Sequence, residues 1–212
     1  MRTLNKQTKA FTMIELVFVI VVLGILAALA LPRMDRDLRQ EAKDNILAVI
    51  RYTQHLALND DKTKPTDTNW QKKLWKITFS SSSADNLANY YTVSSDTNGN
   101  DIVTDDETAI DPADGKYMFT DDSTIDTDES PNIFIGKTYG VKGITFSGGC
   151  SDADPKHIGF DNLGRPHNGI GAATNNYSQY MASDCTIQFI FADGSTPLTV
   201  TIATETGHVS AN

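Results

Sequence analysis

The chain has 212 residues, with 18 Lys and Arg against 27 Asp and Glu and a formal net charge of −9. This length accommodates one membrane helix and one soluble domain of roughly 150 residues. The acidic balance disfavours binding to nucleic acid, because the phosphate backbone repels an acidic surface unless a local basic patch overrides the field.

The most distinctive segment is a basic leader followed by an apolar run. Residues 1–10 carry three basic side chains and no acidic one, and residues 11–31 contain a single charge, Glu15. A helix of that length spans the ~30 Å hydrocarbon core of a bilayer. A charge within such a segment costs roughly 2.5–3.5 kcal/mol on insertion scales, so Glu15 is a candidate functional residue. The basic leader predicts a cytoplasmic N-terminus and an exported C-terminal body.

The start of the apolar run resembles the processing site of type IV pilins and type II secretion pseudopilins: Ala10-Phe11-Thr12-Met13-Ile14-Glu15. The resemblance implies that a prepilin peptidase cuts between Ala10 and Phe11 and methylates the new amino terminus. Glu15 then becomes the fifth mature residue, the usual place of the family's acid, and Pro32 the twenty-second, where many pilins carry a helix-bending proline. The family usually has Gly before the cut. Since Ala10 is the smallest substitute, we expect slowed or tolerated processing.

The resemblance also gives Glu15 a role in assembly. Cleavage would place a new ammonium four residues from Glu15 on the same helix face. In a filament, the carboxylate of one subunit could then pair with the terminal ammonium of its neighbour, and only the correct stagger would neutralise both charges. The alternative is that Glu15 lies close enough to the membrane interface to reach water and does nothing more.

This interpretation implies a location and a set of partners. The chain would be a single-pass protein of the bacterial inner membrane with a periplasmic C-terminal domain, and part of a filament after assembly. Its partners would be other pilin or pseudopilin subunits, the prepilin peptidase and the inner-membrane assembly platform.

An ordinary secretory signal peptide is the alternative interpretation of the N-terminus. Ala28-Leu29-Ala30 is a small-x-small cleavage site, and in this alternative cutting after Ala30 would release a periplasmic domain with a candidate Ca²⁺-binding function. Against this, the hydrophobic region would contain Glu15 and exceed the usual length of roughly 7–15 residues. The amphipathic segment after Pro32 would also lack a purpose.

Helical spacing continues after Pro32. Residues 32–58 predict an amphipathic helix that continues the apolar helix and is bent or loosened at Pro32. Its predicted buried face consists of Leu38, Ala42, Ile46, Val49, Tyr52 or Thr53, and Leu56.

Residues 70–212 predict a β-rich globular domain. Candidate strands cover residues 75–79, 90–93, 132–135, 143–146, 156–160, 186–191 and 198–202, with an Asp193-Gly194 turn between the last two. Together with the long helix, they predict an α+β, pilin-like fold in which the helix packs on an antiparallel sheet.

An acidic insert interrupts this domain. Residues 96–129 contain twelve acidic residues and one basic residue, Lys116, which predicts a surface loop with little core of its own. Its first part resembles a calcium loop of the EF-hand type. The candidate Ca²⁺ ligands, at loop positions 1, 3, 5, 7 and 12, are Asp96, Asn98, Asn100, Ile102 and Glu107.

Two features of this loop depart from a full EF-hand. Asp101 stands where the loop normally has Gly, and no strong helix flanks the segment. A calcium loop of the extracellular or dockerin-like type is one interpretation of this segment. A hydrated acidic loop that binds Ca²⁺ weakly is the alternative.

The two cysteines, Cys150 and Cys185, fall in the exported body. An oxidising compartment favours a disulfide there, worth about 2–4 kcal/mol for a loop of this length, and two free thiols are the alternative. Cys150, His157 and Asp161 suggest a catalytic triad only by proximity in sequence. The chain has no phosphate-binding glycine loop, no HExxH and no CxxC pair, so we expect no enzymatic activity.

The C-terminal part resembles the GspH/FimT-like group of minor pseudopilins and minor pilins. The resemblance rests on IGFDNLGRP at residues 158–166, the terminal hairpin and ETGHV at residues 205–209. It implies a structural subunit, a minor component of a type II secretion pseudopilus or a type IV pilus. Some members of the group bind DNA through a Gly-Arg-x-Arg stretch. This chain has Gly207-His208-Val209-Ser210 there and a net charge of −12 without its leader, so we expect no DNA binding.

Overall fold

The computed structural model describes residues 12–81, 89–121, 125–150, 156–172 and 179–212, except for the side chains of residues 30–37. Helix α1 spans Met13–Asn59 and passes through Pro32 without interruption. The chain divides into two compact units, Met1–Gln40 and Glu41–Asn212. Within the described residues, no helix meets the length and hydropathy that crossing a membrane requires.

The described residues of the second unit form two four-stranded antiparallel sheets, whereas the sequence predicted one. The strands are β1 Trp75–Ser81, β2 Asn89–Ser94, β3 Val141–Gly148, β4 Lys156–Phe160, β5 Pro166–His167, β6 Cys185–Phe191, β7 Leu198–Ile202 and β8 Val209–Ala211. The first sheet has the order β2-β1-β4-β5 and the second the order β3-β6-β7-β8. The predicted α+β class and the β6–β7 hairpin are confirmed.

The short helical elements include a segment that was predicted as a strand. In the part of the chain that the structure describes, they are α2 at Ile135–Tyr139 and 3-10 turns at Trp70–Lys73, Asp105–Glu107, Pro131–Ile133 and Ile170–Ala172. Residues 132–135, predicted as a strand, instead cover the end of a 3-10 turn, the linking residue Phe134 and the first residue of α2. Ser130 caps this segment by accepting the backbone N–H of Asn132, and Pro131 has a backbone angle suited to a helix start. This local capping outweighs the strand preference of the isoleucines.

The part of α1 within the second unit supplies one wall of the core. Its buried residues are Ala42, Ile46, Val49, Ile50, Thr53 and Ala57. The predicted face was partly wrong, because Leu38 is exposed and Leu56 only half-buried, while Ile50 and Ala57 are buried. A stripe of this width is typical of a helix that covers a core rather than a narrow coiled-coil seam.

The two sheets meet at Phe79 of β1. Its ring lies edge-on to Tyr91 in the first sheet at 6.4 Å, and to Phe146 and Phe189 in the second at 6.0 and 5.5 Å between centroids. Such aromatic pairs add about 0.5–1.5 kcal/mol each beyond the area they bury. Phe79 therefore ties both sheets into one core.

The acidic insert covers the outer edge of β2. Val93 accepts the N–H of Ala109 at 2.9 Å and donates its own N–H to Met118 at 3.0 Å. Ala109 and Met118 of the insert are both buried in the main core of the domain, an attachment that the sequence did not predict. Because the insert occupies this strand edge, β3 begins a second sheet instead of extending the first.

A disulfide joins Cys150 to Cys185, with 2.04 Å between the two sulfur atoms. It lies where β3 ends and β6 begins, next to the strand pair Gly148–Cys185. Gly148 has a φ of 77°, and a Cβ there would collide with the backbone oxygen of Asp184. The expected disulfide is thus present, and the free-thiol alternative is excluded.

The turn between β4 and β5 is organised by the buried carboxylate of Asp161. Its Oδ1 accepts the N–H groups of Leu163 at 3.0 Å and Arg165 at 2.9 Å. Its Oδ2 accepts from Arg165 Nε at 2.8 Å and His167 Nε2 at 3.2 Å. Burial alone would raise the pKa of Asp161, but the hydrogen bonds from His167 and Arg165 outweigh it and lower the pKa to about 2.

The side chain of Gln54 in α1 connects this turn to the turn before β8 by hydrogen bonds. Its Nε2 donates to the carbonyl oxygens of Gly164 at 2.8 Å and Thr206 at 3.1 Å. Gly207 has a φ of 63°, and a Cβ there would collide with the Gly164 oxygen and the Gln54 amide. The two glycine-containing stretches that carry the C-terminal resemblance thus meet at one helix side chain.

Replacing Asp161 with Asn should lower the free energy of unfolding at pH 7 by about 2 kcal/mol. Because the folded pKa lies below the usual 3.8, the carboxylate stabilises the fold above that pH. This contribution is lost as the pH falls through about 2. Denaturant unfolding of Asp161→Asn should therefore show a flatter acid limb than the parent. Glu205→Gln, an exposed carboxylate, is the control; equal effects of the two changes would contradict the prediction.

Replacing Gln54 with Met keeps the side-chain length but removes the amide donor. We expect a loss of about 1–3 kcal/mol, since the two turn carbonyls lose a partly buried donor. Thermal unfolding measures the change, and Gln188→Met on an exposed position of β6 provides the matched control. A Gln54→Met protein as stable as the control would show that the bridge between the turns contributes nothing.

Candidate functional site

The first turn of α1 is capped by its own side chains. Thr12 precedes the helix, and its Oγ1 accepts the backbone N–H of Glu15 at 3.3 Å. The same hydroxyl donates to Glu15 Oε2 at 3.5 Å. Thr-Met-Ile-Glu has the spacing of a capping box; Thr12 caps the backbone N–H of Glu15, and Glu15 contacts the Thr12 hydroxyl. This role of Thr12 was not predicted, although the Thr-x-x-Glu spacing signals it.

An uninterrupted exposed surface follows the cap. Every side chain from residue 12 to residue 29 is exposed. The large apolar ones are Met13, Ile14, Leu16, Val17, Phe18, Val19, Ile20, Val21, Val22, Leu23, Ile25, Leu26 and Leu29. A contiguous apolar surface of this extent marks a site of interaction with protein or lipid.

The structure describes only some of the residues predicted to act in processing and assembly. Ala10 and Phe11 lie outside the described residues. Pro32 lies within α1, and Glu15 lies in its first turn, exposed. The structure therefore describes Glu15 and its contact with Thr12, whereas cleavage between Ala10 and Phe11 stays a prediction.

In the second unit, the predicted calcium loop is folded around Asp96, which is fully buried. Its Oδ1 accepts the N–H groups of Gly99 at 2.7 Å and Asn100 at 3.2 Å, and its Oδ2 accepts that of Asp101 at 2.9 Å. Asp101 has a φ of 62°, the only positive value among the described residues other than glycine. The loop thus makes the sharp turn at position 6 even without the usual Gly.

Glu107 closes the loop from its far end. Its Oε1 accepts from Thr97 Oγ1 at 3.0 Å and from the N–H of Asn98 at 3.2 Å. The two amide side chains form local turns, with Asn98 Oδ1 accepting from Asn100 N at 2.9 Å and Asn100 Oδ1 from Ile102 N at 2.8 Å. The structure therefore brings all five predicted ligand residues into one short loop.

Two lysines of the neighbouring segments lie near this loop. Lys72 forms an ion pair with Asp101, 3.0 Å between Nζ and Oδ2. Burial lowers the pKa of Lys76, while the carboxylates of Asp96, Asp101 and Glu107 act in the opposite direction. These lysines partly offset the negative charge of the loop.

A second acidic cluster, which the sequence did not single out, lies in the same insert. Carboxylate oxygens of Asp121, Asp126 and Glu129 lie within 4.8 Å of one another. Glu129 is buried, and burial raises its pKa, helped by the charges of Asp126 and Asp121. The Glu129 carboxylate accepts the N–H of Asp126 at 3.1 Å, so its negative charge has a local partner.

The residues that suggested nucleophilic chemistry have other partners. Cys150 is held in the disulfide. His157 Nε2 accepts the N–H of Ile170 at 3.0 Å, and Asp161 binds Arg165 and His167. A thiolate nucleophile needs a free thiol next to its base, and these three side chains do not provide that arrangement.

Comparison with known proteins identifies the N-terminal segment. Residues 5–31 match the sequence model of the prokaryotic N-terminal methylation motif. No curated protein and no solved structure matches the chain. The matched range includes the leader end, the predicted cut and the exposed apolar run. The chain therefore carries the N-terminal methylation motif, consistent with the type IV pilin and pseudopilin family.

Proposed function

We propose that this protein is a prepilin-like structural subunit of a bacterial filament. It is cut between Ala10 and Phe11, methylated on Phe11, and held in the inner membrane with its C-terminal domain in the periplasm. It is then added as a minor component to a type II secretion pseudopilus or a type IV pilus. One observation carries this proposal: the methylation motif at residues 5–31 leads into a helix whose side chains are all exposed to residue 29.

The exposed apolar helix needs a non-aqueous partner. Burial of each large aliphatic or aromatic side chain is worth roughly 1.5–3 kcal/mol relative to exposure in water. Lipid tails supply that burial before assembly, and apolar helices of neighbouring subunits supply it in the filament core. The stabilisation comes from partners outside this chain, so the segment favours assembly over an isolated existence in water.

Glu15 has one role within the subunit and another between subunits. Its contact with Thr12 occupies part of one carboxylate oxygen, and a carboxylate has about four lone-pair sites. The remaining sites accept the methylated ammonium of an adjacent subunit. In a low-dielectric filament core, this pairing fixes the stagger because any other register leaves two charges unpaired.

We also assign the subunit to the GspH/FimT-like group. This assignment is supported by the sequence resemblance at residues 158–166 and 205–209 and by the terminal hairpin. The globular unit would cover the outside of the filament, where its acidic surface is hydrated. Other pilin-like subunits, the peptidase and the assembly platform are its partners, and nucleic acid is not.

Replacing Glu15 with Gln separates the two roles of this residue. Gln also serves at N3 of a capping box, so helix content and membrane insertion should be retained. Incorporation into filaments should fall at least about tenfold, the factor that ~1.4 kcal/mol produces. Quantitative blotting of sheared filaments against the membrane fraction measures this ratio.

Two matched variants complete that experiment. Thr12→Ala removes the cap but keeps the acid, and it should assemble much better than Glu15→Gln. Glu41→Gln makes the same chemical change at an exposed position of α1 beyond the apolar run and should assemble normally. If Glu15→Gln assembles as well as Glu41→Gln, Glu15 does not set the stagger.

The cut itself is tested by the mass of the mature N-terminus. We expect N-methylated Phe11 in protein purified from cells that contain the prepilin peptidase, and uncut chain in cells that lack it. Ala10→Gly should be processed at least as fast as the parent. A mature protein that begins at Leu31 would instead indicate ordinary signal peptidase and a released periplasmic domain, which excludes the filament proposal.

A further inference from the structure

One carboxylate oxygen of the acidic loop is buried without a partner. Glu107 is 4% exposed, and among the described residues no group donates a hydrogen bond to its Oε2. Its Oε1 already accepts two hydrogen bonds from the first half of the loop, so the carboxylate lies against that half. A buried anionic oxygen without a donor is costly, and a cation would offset this cost.

Asp96 presents a second oxygen to the same loop. Both lone pairs of its Oδ1 are used by backbone N–H groups, whereas among the described residues its Oδ2 accepts only one hydrogen bond, from Asp101. One lone pair of Oδ2 is therefore left on a fully buried side chain. The hydrogen bonds hold this carboxylate in place, as a preorganised ligand requires.

We propose that the loop of residues 96–107 binds one Ca²⁺ ion. Its protein ligands are Asp96 Oδ2, Asn98 Oδ1, Asn100 Oδ1, the carbonyl oxygen of Ile102 and Glu107 Oε2. These five oxygens come from loop positions 1, 3, 5, 7 and 12, the spacing of calcium loops, and a water held at Thr104, position 9, completes the shell.

The chemistry of the loop favours Ca²⁺ over other cations. All the donors are oxygens in an irregular, loop-borne arrangement, which suits the six to eight flexible contacts of Ca²⁺ better than the strict octahedron of Mg²⁺. Lys72 and Lys76 offset only part of the charge of the loop, and among the described residues neither donates a hydrogen bond to Glu107 Oε2. With only two charged ligands, we expect a dissociation constant of about 10⁻⁵–10⁻³ M.

Calcium at this position would hold the insert on the first sheet. The base of the loop is already paired with β2, since Ser95 donates its N–H to the Glu107 carbonyl at 2.8 Å. The next residues, Ser94 and Thr108, form an antiparallel bridge. A bound ion would join both ends of the loop through side chains as well as backbone, and so fix the insert over the edge of β2.

The test uses the full chain in detergent micelles, freed of divalent ions with EGTA and then titrated with CaCl₂ or MgCl₂ by calorimetry. We expect one Ca²⁺ per chain and at least tenfold weaker binding of Mg²⁺. Saturating Ca²⁺, about 100 times the dissociation constant, should raise Tm by about 5–10 °C. The absence of binding at millimolar Ca²⁺, or equal affinity for Mg²⁺, would overturn the proposal.

Glu107→Gln is the decisive variant. It should weaken Ca²⁺ binding at least tenfold, yet in EGTA its Tm should equal or exceed that of the parent, because the bare buried charge is gone. Asp106→Asn, the exposed neighbour at position 11, makes the same change in net charge and should bind Ca²⁺ like the parent. Equal losses in the two variants would mean diffuse attraction to an acidic surface, and would refute the site.

Two further variants keep the test independent of the folding of Glu107→Gln. Asn100→Ala removes an exposed ligand and should weaken Ca²⁺ binding, with Tm in EGTA close to that of the parent. Lys76→Met removes a cation that interacts with Asp96 and Glu107 and should tighten binding several-fold. Unchanged affinity in Asn100→Ala would contradict the ligand assignment.

Discussion

Helix α1 has exposed apolar side chains in its first part and a buried stripe in its last part, and the rest of the protein follows from this constraint. From Met13 to Leu29 its side chains are exposed and largely apolar, so this part needs partners from outside the chain. Beyond Gln40 the same helix becomes part of the globular unit, where a stripe from Ala42 to Ala57 is buried. A helix is suited to this task because its backbone hydrogen bonds are internal in either environment. Only the side chains have to change.

The buried apolar residues of α1 belong to the core of the globular unit. Phe79 joins the two sheets through aromatic contacts, and Gln54 bonds the two turns that precede β5 and β8. The acidic insert covers the edge of β2, which would otherwise offer unpaired backbone groups to another chain. An insert rich in carboxylates can serve there because Ala109 and Met118 are buried while most of its charges remain hydrated.

The features of the candidate sites differ in whether neighbouring residues alone could predict them. The sequence placed Asp96, Asn98, Asn100, Ile102 and Glu107 at calcium-loop spacing, and the structure brings them into one loop because their hydrogen bonds span only a few residues. The missing partner of Glu107 Oε2 was not predictable, since burial depends on β2 and on the rest of the insert. The cap between Thr12 and Glu15 was predictable from spacing but was overlooked. The strand predicted at residues 132–135 was wrong because another local cap was overlooked. The cap at Ser130 and Pro131 favours a helical turn and outweighs the strand preference of the isoleucine side chains.

The sequence by itself determined the long helix, the methylation motif, the terminal hairpin and the pair of cysteines available for a disulfide. Each depends on neighbouring residues, on a regular period, or on the number of cysteines and their compartment. Only the tertiary structure decided that there are two sheets rather than one, that Gln54 joins two distant turns, and that the insert contributes to the core. These features depend on which strand edges and carbonyl groups remain available once the chain has packed. That availability results from contacts between segments far apart in sequence, which no local pattern of residues encodes.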